Sequence, residues 1–144
     1  MIEEKEVNLG EELYDLLAAM LNRKINRTVQ NSVRGEFGVL RYLMYVEDGV
    51  SAGVLAQQLH VVPGRMADIL NSLEHKGFIV RHRDEADKRK VKVCITEEGR
   101  AESQEKRKQI SREYEGMFQI LGKEDTEELI RLLKVVLSYE GSVE

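Results

Sequence analysis

The chain has 144 residues, 42% hydrophobic and 33% charged, with a formal net charge of −4. That length suits one domain with a sizeable core, and the composition is that of a folded chain, not a disordered one. No apolar run approaches the ~20 residues of a membrane span. The start, Met1-Ile2-Glu3-Glu4-Lys5-Glu6, is acidic where a secretory signal is basic and then apolar. Cys94 is the only cysteine, so an intrachain disulfide is excluded, and together these features predict a cytoplasmic protein. The negative total argues against a protein that coats nucleic acid indiscriminately.

Leu9, Leu13, Leu16, Leu17, Met20, Leu21, Ile25 and Val29 recur at steps of three and four and predict one long amphipathic helix over 9–29. Asn31-Ser32-Val33-Arg34-Gly35 breaks that pattern. A second helix carries Phe37, Leu40, Leu43, Met44 and Val46 and stops at Glu47-Asp48-Gly49, where glycine supplies a left-handed cap. Ser51 opens a third helix containing Val54, Leu55, Ala56 and Leu59. After His60-Val61-Val62 the only proline, Pro63, starts a fourth as a first-turn residue. That helix turns Met66, Ile69, Leu70 and Leu73 inward and ends at Lys76-Gly77.

Beyond Gly77 the period shortens to two. Phe78-Ile79-Val80 and the alternation Val91, Val93, Ile95 predict two strands around the polar tip 83–90. Thr96 reads as the N-cap of a further helix with Glu97 and Glu98 in its first turn. Residues 97–121 are rich in charge, with apolar residues sparse until Ile110, Tyr114, Met117, Phe118 and Leu121. Gly122 separates a last helix bearing Leu129, Ile130, Leu132, Leu133, Val135, Val136 and Leu137. The expected fold class is mainly α with a small β-hairpin.

The order helix, short turn, helix, hairpin, helix is a winged helix-turn-helix, with its two-helix unit at 51–76. In such a unit the second helix fits the major groove of DNA and the first braces it across the backbone. Ala56 is small where the helices cross, and His60 stands at a turn position that needs positive φ, a setting histidine tolerates better than most residues. Pro63, Gly64, Arg65, Asp68, Asn71 and Ser72 are the outward, candidate DNA-binding residues of the second helix. Arg65 is suited to a bidentate contact with guanine, whereas Asn71 and Ser72 lie two turns on and suit phosphate. Asp68 accepts from cytosine, orients Arg65, or merely pairs with Arg65 on the surface.

Between His75 and Lys92 seven Lys/Arg face three acids, a local excess of four positive charges in a chain of net −4. A charge run alone is most often a solvated face. Directly after a helix-turn-helix it instead suits a wing, with Arg83, Lys88, Arg89 and Lys90 at the backbone and one arginine in the minor groove. Asp87 is the candidate wing stabiliser, pairing with Arg89 while leaving it able to reach DNA.

The segments Ser51-Ala52-Gly53-Val54-Leu55-Ala56-Gln57-Gln58-Leu59 and Leu73-Glu74-His75-Lys76-Gly77-Phe78-Ile79-Val80-Arg81 resemble the central block of the MarR family. Arg83-Asp84-Glu85-Ala86-Asp87-Lys88-Arg89 and Ile95-Thr96-Glu97-Glu98-Gly99-Arg100 continue the match through that family's wing and its exit. The resemblance implies a homodimeric transcription regulator on a pseudo-palindromic operator, usually a repressor, often released by a small-molecule effector or by oxidation. It divides the chain into a helical dimerisation region, 1–34 and 97–144, and a DNA-binding region, 35–96. The surplus of apolar residues over 9–29 and 110–137 agrees with a dimer. The chain departs from the family where Val62 replaces a capping Ser or Thr, where Asp68 replaces a polar or basic residue, and where Glu85 replaces the wing proline.

The signal is less legible. Peroxide-sensing members use a cysteine in the N-terminal helix, which this chain lacks, so Cys94 reads as structural or incidental. His60, His75 and His82 fall at a turn, a helix end and a strand, so no metal or other cofactor is expected. Tyr14, Phe37, Arg41 and Tyr45 are candidates to face an effector cleft, or are ordinary core and surface. No nucleophile triad, phosphate loop or metal-ligand spacing points to an enzyme. The alternative function is a winged-helix protein-interaction module that no longer binds DNA, favoured by Val62 and Asp68 and opposed by the wing charge.

Overall fold

The computed structural model describes residues 4–24, 27, 29–30 and 34–139. Among them the element order is α1 (Glu4–Leu21), α2 (Glu36–Tyr45), α3 (Ala52–Gln58), α4 (Pro63–His75), β1 (Ile79–Arg83), β2 (Val91–Ile95), α5 (Glu97–Glu113) and α6 (Glu115–Leu137). The expected class, mainly α with one hairpin, is the observed one. Two compact units are formed, Met1–Ile110 and Ser111–Glu144.

In the first unit α1 stops short of the predicted span. The N–H groups of Asn22 and Arg23 bond three residues back, to Ala19 at 3.3 Å and Met20 at 3.1 Å, a tightening that closes an α-helix. Helical bonding resumes where Arg27 N–H reaches the Arg23 carbonyl at 3.3 Å. Ile25, and Asn31, Ser32 and Val33 of the predicted break, lie outside the described residues.

The turn after α2 is a junction. Gly49 adopts φ 68°, the left-handed conformation its sequence position predicts. Beside it Asp48 Oδ1 accepts from the backbone N–H of Gly49 at 2.9 Å and of Ile95 at 3.0 Å, and Oδ2 accepts from Arg100 at 3.5 Å. One carboxylate thus ties the end of α2 to β2 and to the first turn of α5. Val50 then pairs with Val93 as a single antiparallel bridge, with Val93 N–H donating to the Val50 carbonyl at 2.7 Å. One bridged residue has no period, so nothing in the sequence marks it.

Ser51 caps α3 by accepting from Val54 N–H at 3.1 Å. His60 has φ 54°, the strained turn geometry expected of it. The hairpin is antiparallel, registered from Ile79 opposite Ile95 to Arg83 opposite Val91. Thr96 caps α5 by accepting from Gly99 N–H at 3.0 Å, and its hydroxyl donates to the Gly77 carbonyl at 2.6 Å. The exit of the wing is thereby fixed to the turn that enters it.

The second unit shows one break more than the sequence pattern contains. Tyr114 N–H bonds to Ser111 at 3.0 Å, three residues back, and separates α5 from α6 within the charge-rich run 97–121. Gly122 leaves helical geometry inside α6, with φ 76° and ψ 173°, where the sequence places a separation.

The core lies within the winged module. The buried apolar side chains among the described residues fall between Val39 and Ile95, with Leu55, Leu70 and Val93 at 0% exposure. Met66, Ile69, Leu70 and Leu73 form the inward face of α4 as the period predicts. Burial of each such side chain contributes about 1.5–3 kcal/mol, so this cluster dominates stability. By contrast α6 has no buried residue, and Leu9, Leu13, Leu16 and Leu17 of α1 are each more than half exposed. No described helix is long and apolar enough to cross a membrane.

Candidate nucleic-acid interface

Helix α4 follows its N-cap residue Val62, whose backbone is extended (φ −63°, ψ 145°) and whose side chain makes no capping bond. Pro63 occupies the first turn, where its missing N–H is not needed. Gly64, Arg65, Asp68 and Asn71 are exposed along the face opposite the core. Arg65 and Asp68 form no ion pair with each other, although a spacing of three permits one. The Arg65 guanidinium is therefore available to an outside acceptor.

The two residues further along the helix are engaged within the molecule. Ser72 is half-buried beside the Glu36 carboxylate, which takes Lys76 Nζ at 2.9 Å. Partial burial pushes the Glu36 carboxyl up, but the Ser72 and Lys76 hydrogen bonds and the Lys76 charge together hold it below its ordinary value. Asn71 Oδ1 accepts from Arg81 Nη2 at 2.7 Å, and the same guanidinium reaches Glu74 at 3.1 and 3.3 Å. Arg81 is the residue that sequence reasoning missed. Its signal is the strand period of two, which puts Arg81 on the face of Ile79, packed toward α4.

The hairpin tip is built by short-range bonds. Asp84 N–H donates to the Lys90 carbonyl at 2.8 Å, Lys90 N–H to the Asp87 carbonyl at 2.9 Å, and Ala86 N–H to Asp84 Oδ1 at 2.8 Å. Asp87 Oδ1 accepts from both the backbone N–H and Nε of Arg89, each at 3.1 Å. These bonds to Arg89 hold the Asp87 carboxyl below its ordinary value. The Arg89 side chain itself stays 90% exposed while Asp87 holds its Nε, and it lies at the edge of the cavity beside the helix-turn-helix. Arg83, Lys88 and Lys90 are exposed and make no ion pair among the described residues. Between wing and helix-turn-helix lies an open cavity of about 660 Å³, lined by Gly49, Ser51, Arg81, Asp84, Lys90 and Lys92 among others.

Of the candidate effector residues, Tyr14 is 71% exposed on α1 and Phe37 is half-buried on α2. The Tyr45 ring is covered by the Arg107 guanidinium, 4.5 Å from its centroid. His60, His75 and His82 join no group of three or more potential metal ligands among the described residues. Cys94 is half-buried on β2. Burial raises its thiol pKa, the Asp48 charge raises it further, and Lys92 opposes them only in part.

Comparison with known proteins agrees with this architecture. The family model described as transcriptional regulator SarA/Rot matches residues 33–106, half of the chain. The HTH-type transcriptional regulator YkoM of Bacillus subtilis is 29% identical over 101 residues, which cover 67% of this chain and 65% of that relative, just under two thirds. A MarR family protein from Bacillus stearothermophilus superposes with a TM-score of 0.69 at 21% identity, over 94% of this chain and 96% of that one. A variant of Staphylococcus aureus MepR, solved bound to an oligodeoxyribonucleotide, superposes with a TM-score of 0.56 at 20% identity, over 89% and 95%. The fold is thus the one that the resemblance to MarR regulators implies, and the chain belongs to the SarA/Rot family of transcriptional regulators.

Proposed function

We propose that this regulator binds DNA as a homodimer, at a pseudo-palindromic operator, and acts there as a repressor. The observation that carries the reading is Arg89, exposed at the wing tip and paired with Asp87, in the same module as a helix whose Arg65 has no ion-pair partner among the described residues. Arg65 reads guanine in the major groove, supported by Pro63, Gly64 and Asp68. Arg89 enters the minor groove, with Arg83, Lys88 and Lys90 on the flanking phosphates. The oligodeoxyribonucleotide complex of a MepR variant, a protein of the same fold, supports DNA binding.

The dimer rests on the apolar surface of the helices outside the winged module. Ile120 is 88% exposed and Leu137 84%, and the leucines of α1 add to them. A second copy covering residues of 1–34 and 97–144 removes that surface from water, leaving 35–96 as the DNA-binding region. The two recognition helices then meet successive major grooves, about one turn or ~34 Å apart. Release by a small-molecule effector and a cytoplasmic location complete the reading.

The test is titration of the full chain against duplex DNA from its own promoter at several salt concentrations, with the mass in solution measured in parallel. Selective binding with a steep salt dependence is expected, weakened by Arg65→Ala and by Arg89→Ala. Binding no tighter than to unrelated duplex, by a folded dimer, supports the protein-interaction module instead.

A further inference from the structure

We infer that Arg81 is a positioning residue that fixes which hydrogen bonds the recognition helix can offer DNA at Asn71. The Arg81 guanidinium has five N–H donors and no acceptor. The amide atom lying 2.7 Å from Arg81 Nη2 is therefore the oxygen of Asn71, and its NH₂ group points away from Arg81. Glu74 holds the other side of the same guanidinium at 3.1 and 3.3 Å, so Arg81 is clamped between two residues of α4 and resists swinging aside. Lysine in its place has no planar fork with which to span both.

The consequence is a restriction. A free asparagine recognises adenine bidentately, its NH₂ donating to N7 while its oxygen accepts from the N6 amino group. With its oxygen turned to Arg81 and held there, Asn71 cannot aim oxygen and nitrogen together at one adenine edge, and it presents its NH₂ donor to DNA. It is then a contact for phosphate oxygen, made alike on any base sequence, and Arg81 removes an adenine preference that the helix would otherwise show. This inference rests on α4 entering the major groove as proposed above.

The experiment selects bound duplexes from a random library with the full-length protein and three variants. Asn71→Ala is expected to weaken binding to all sequences alike, by about fivefold, the loss of one hydrogen bond, with base preferences unchanged. Arg81→Met combined with Glu74→Gln removes both charges, so neither net charge nor an orphaned carboxylate alters the comparison. That pair of changes is expected to create a preference for adenine at one position per half-site, about fivefold or more. Adding Asn71→Ala to it abolishes the preference, an effect that a merely structural role for Arg81 cannot produce. Base preferences of the double variant identical to the parent's overturn the proposal, as does an adenine preference lost on Asn71→Ala in the parent protein, a variant at an exposed position. Absence of any selected sequence with the parent protein overturns the DNA-reading assignment itself, and this inference with it.

Discussion

Gly99 packs its bare Cα against the backbone of Phe78. A methyl carbon built on it would collide with the Phe78 carbonyl and lie 2.8 Å from Ile95 Cγ1. The first turn of α5 sits this close because Thr96 binds the turn at Gly77 with its hydroxyl and the Phe78 carbonyl with its N–H, at 2.6 and 3.0 Å. Gly99→Ala is therefore expected to destabilise the fold by about 2 kcal/mol or more, despite the better helix propensity of alanine. Urea denaturation of parent and variant checks this, and an unchanged midpoint would contradict the packing.

Val62 leaves the start of α4 uncapped. Val62→Ser places an oxygen where it accepts from the N–H of Gly64 or Arg65, and Val62 is 69% exposed, so little packing is lost. The expected gain is about 0.5–2 kcal/mol, read as a rise in thermal midpoint. A fall in midpoint would show that valine has a packing role at this position.

The Glu36 link to Ser72 and Lys76 carries a pH signature. Its carboxyl is held below the ordinary 4.5 in the folded chain, so the link stabilises fully above that pH and is lost as pH falls through the lowered value. Because both partners are partly exposed, the contribution is modest, about 0.5 kcal/mol. Glu36→Gln is expected to lower stability at about pH 7 and to match the parent near about pH 3. Equal loss at both pH values would mean that the charge is not responsible.

Cys94 bears on the signal. With its thiol raised by burial and by Asp48, little thiolate exists at neutral pH, and the thiolate is the reactive form. Alkylation of the native protein is expected to be slow and to quicken in urea, while mild peroxide leaves DNA affinity unchanged. Rapid native alkylation with loss of binding would instead make Cys94 a sensor.

What the sequence disclosed divides along physical lines. The inward face of α4, the strand alternation at Val93 and Ile95, the positive φ of His60 and the cap at Thr96 are properties of short windows, governed by period and local stereochemistry. The Asp87–Arg89 pair is two residues long and equally local. By contrast the Val50–Val93 bridge, the Asp48 junction with Ile95 and Arg100, and the Glu36–Lys76 link join residues more than 35 positions apart. No period announces them. Arg81 lies between these cases: its strand face was readable, but its choice of Asn71 and Glu74 depended on how the hairpin packs on α4. The early end of α1 and the break at Tyr114 were hidden because an apolar or charged pattern continues unaltered through a turn that shifts bonding by one residue.

The bonds that shape the wing tip begin and end almost entirely within residues 84–90, so this seven-residue loop carries its own fold instructions. Transplanted between two paired strands of another scaffold, or closed into a small cyclic peptide, it should still present Arg89 outward with Asp87 behind it. The exposed side chains at 85, 86 and 88 can accordingly be replaced without disturbing the core. The loop behaves as an interchangeable fitting on a separately built mount.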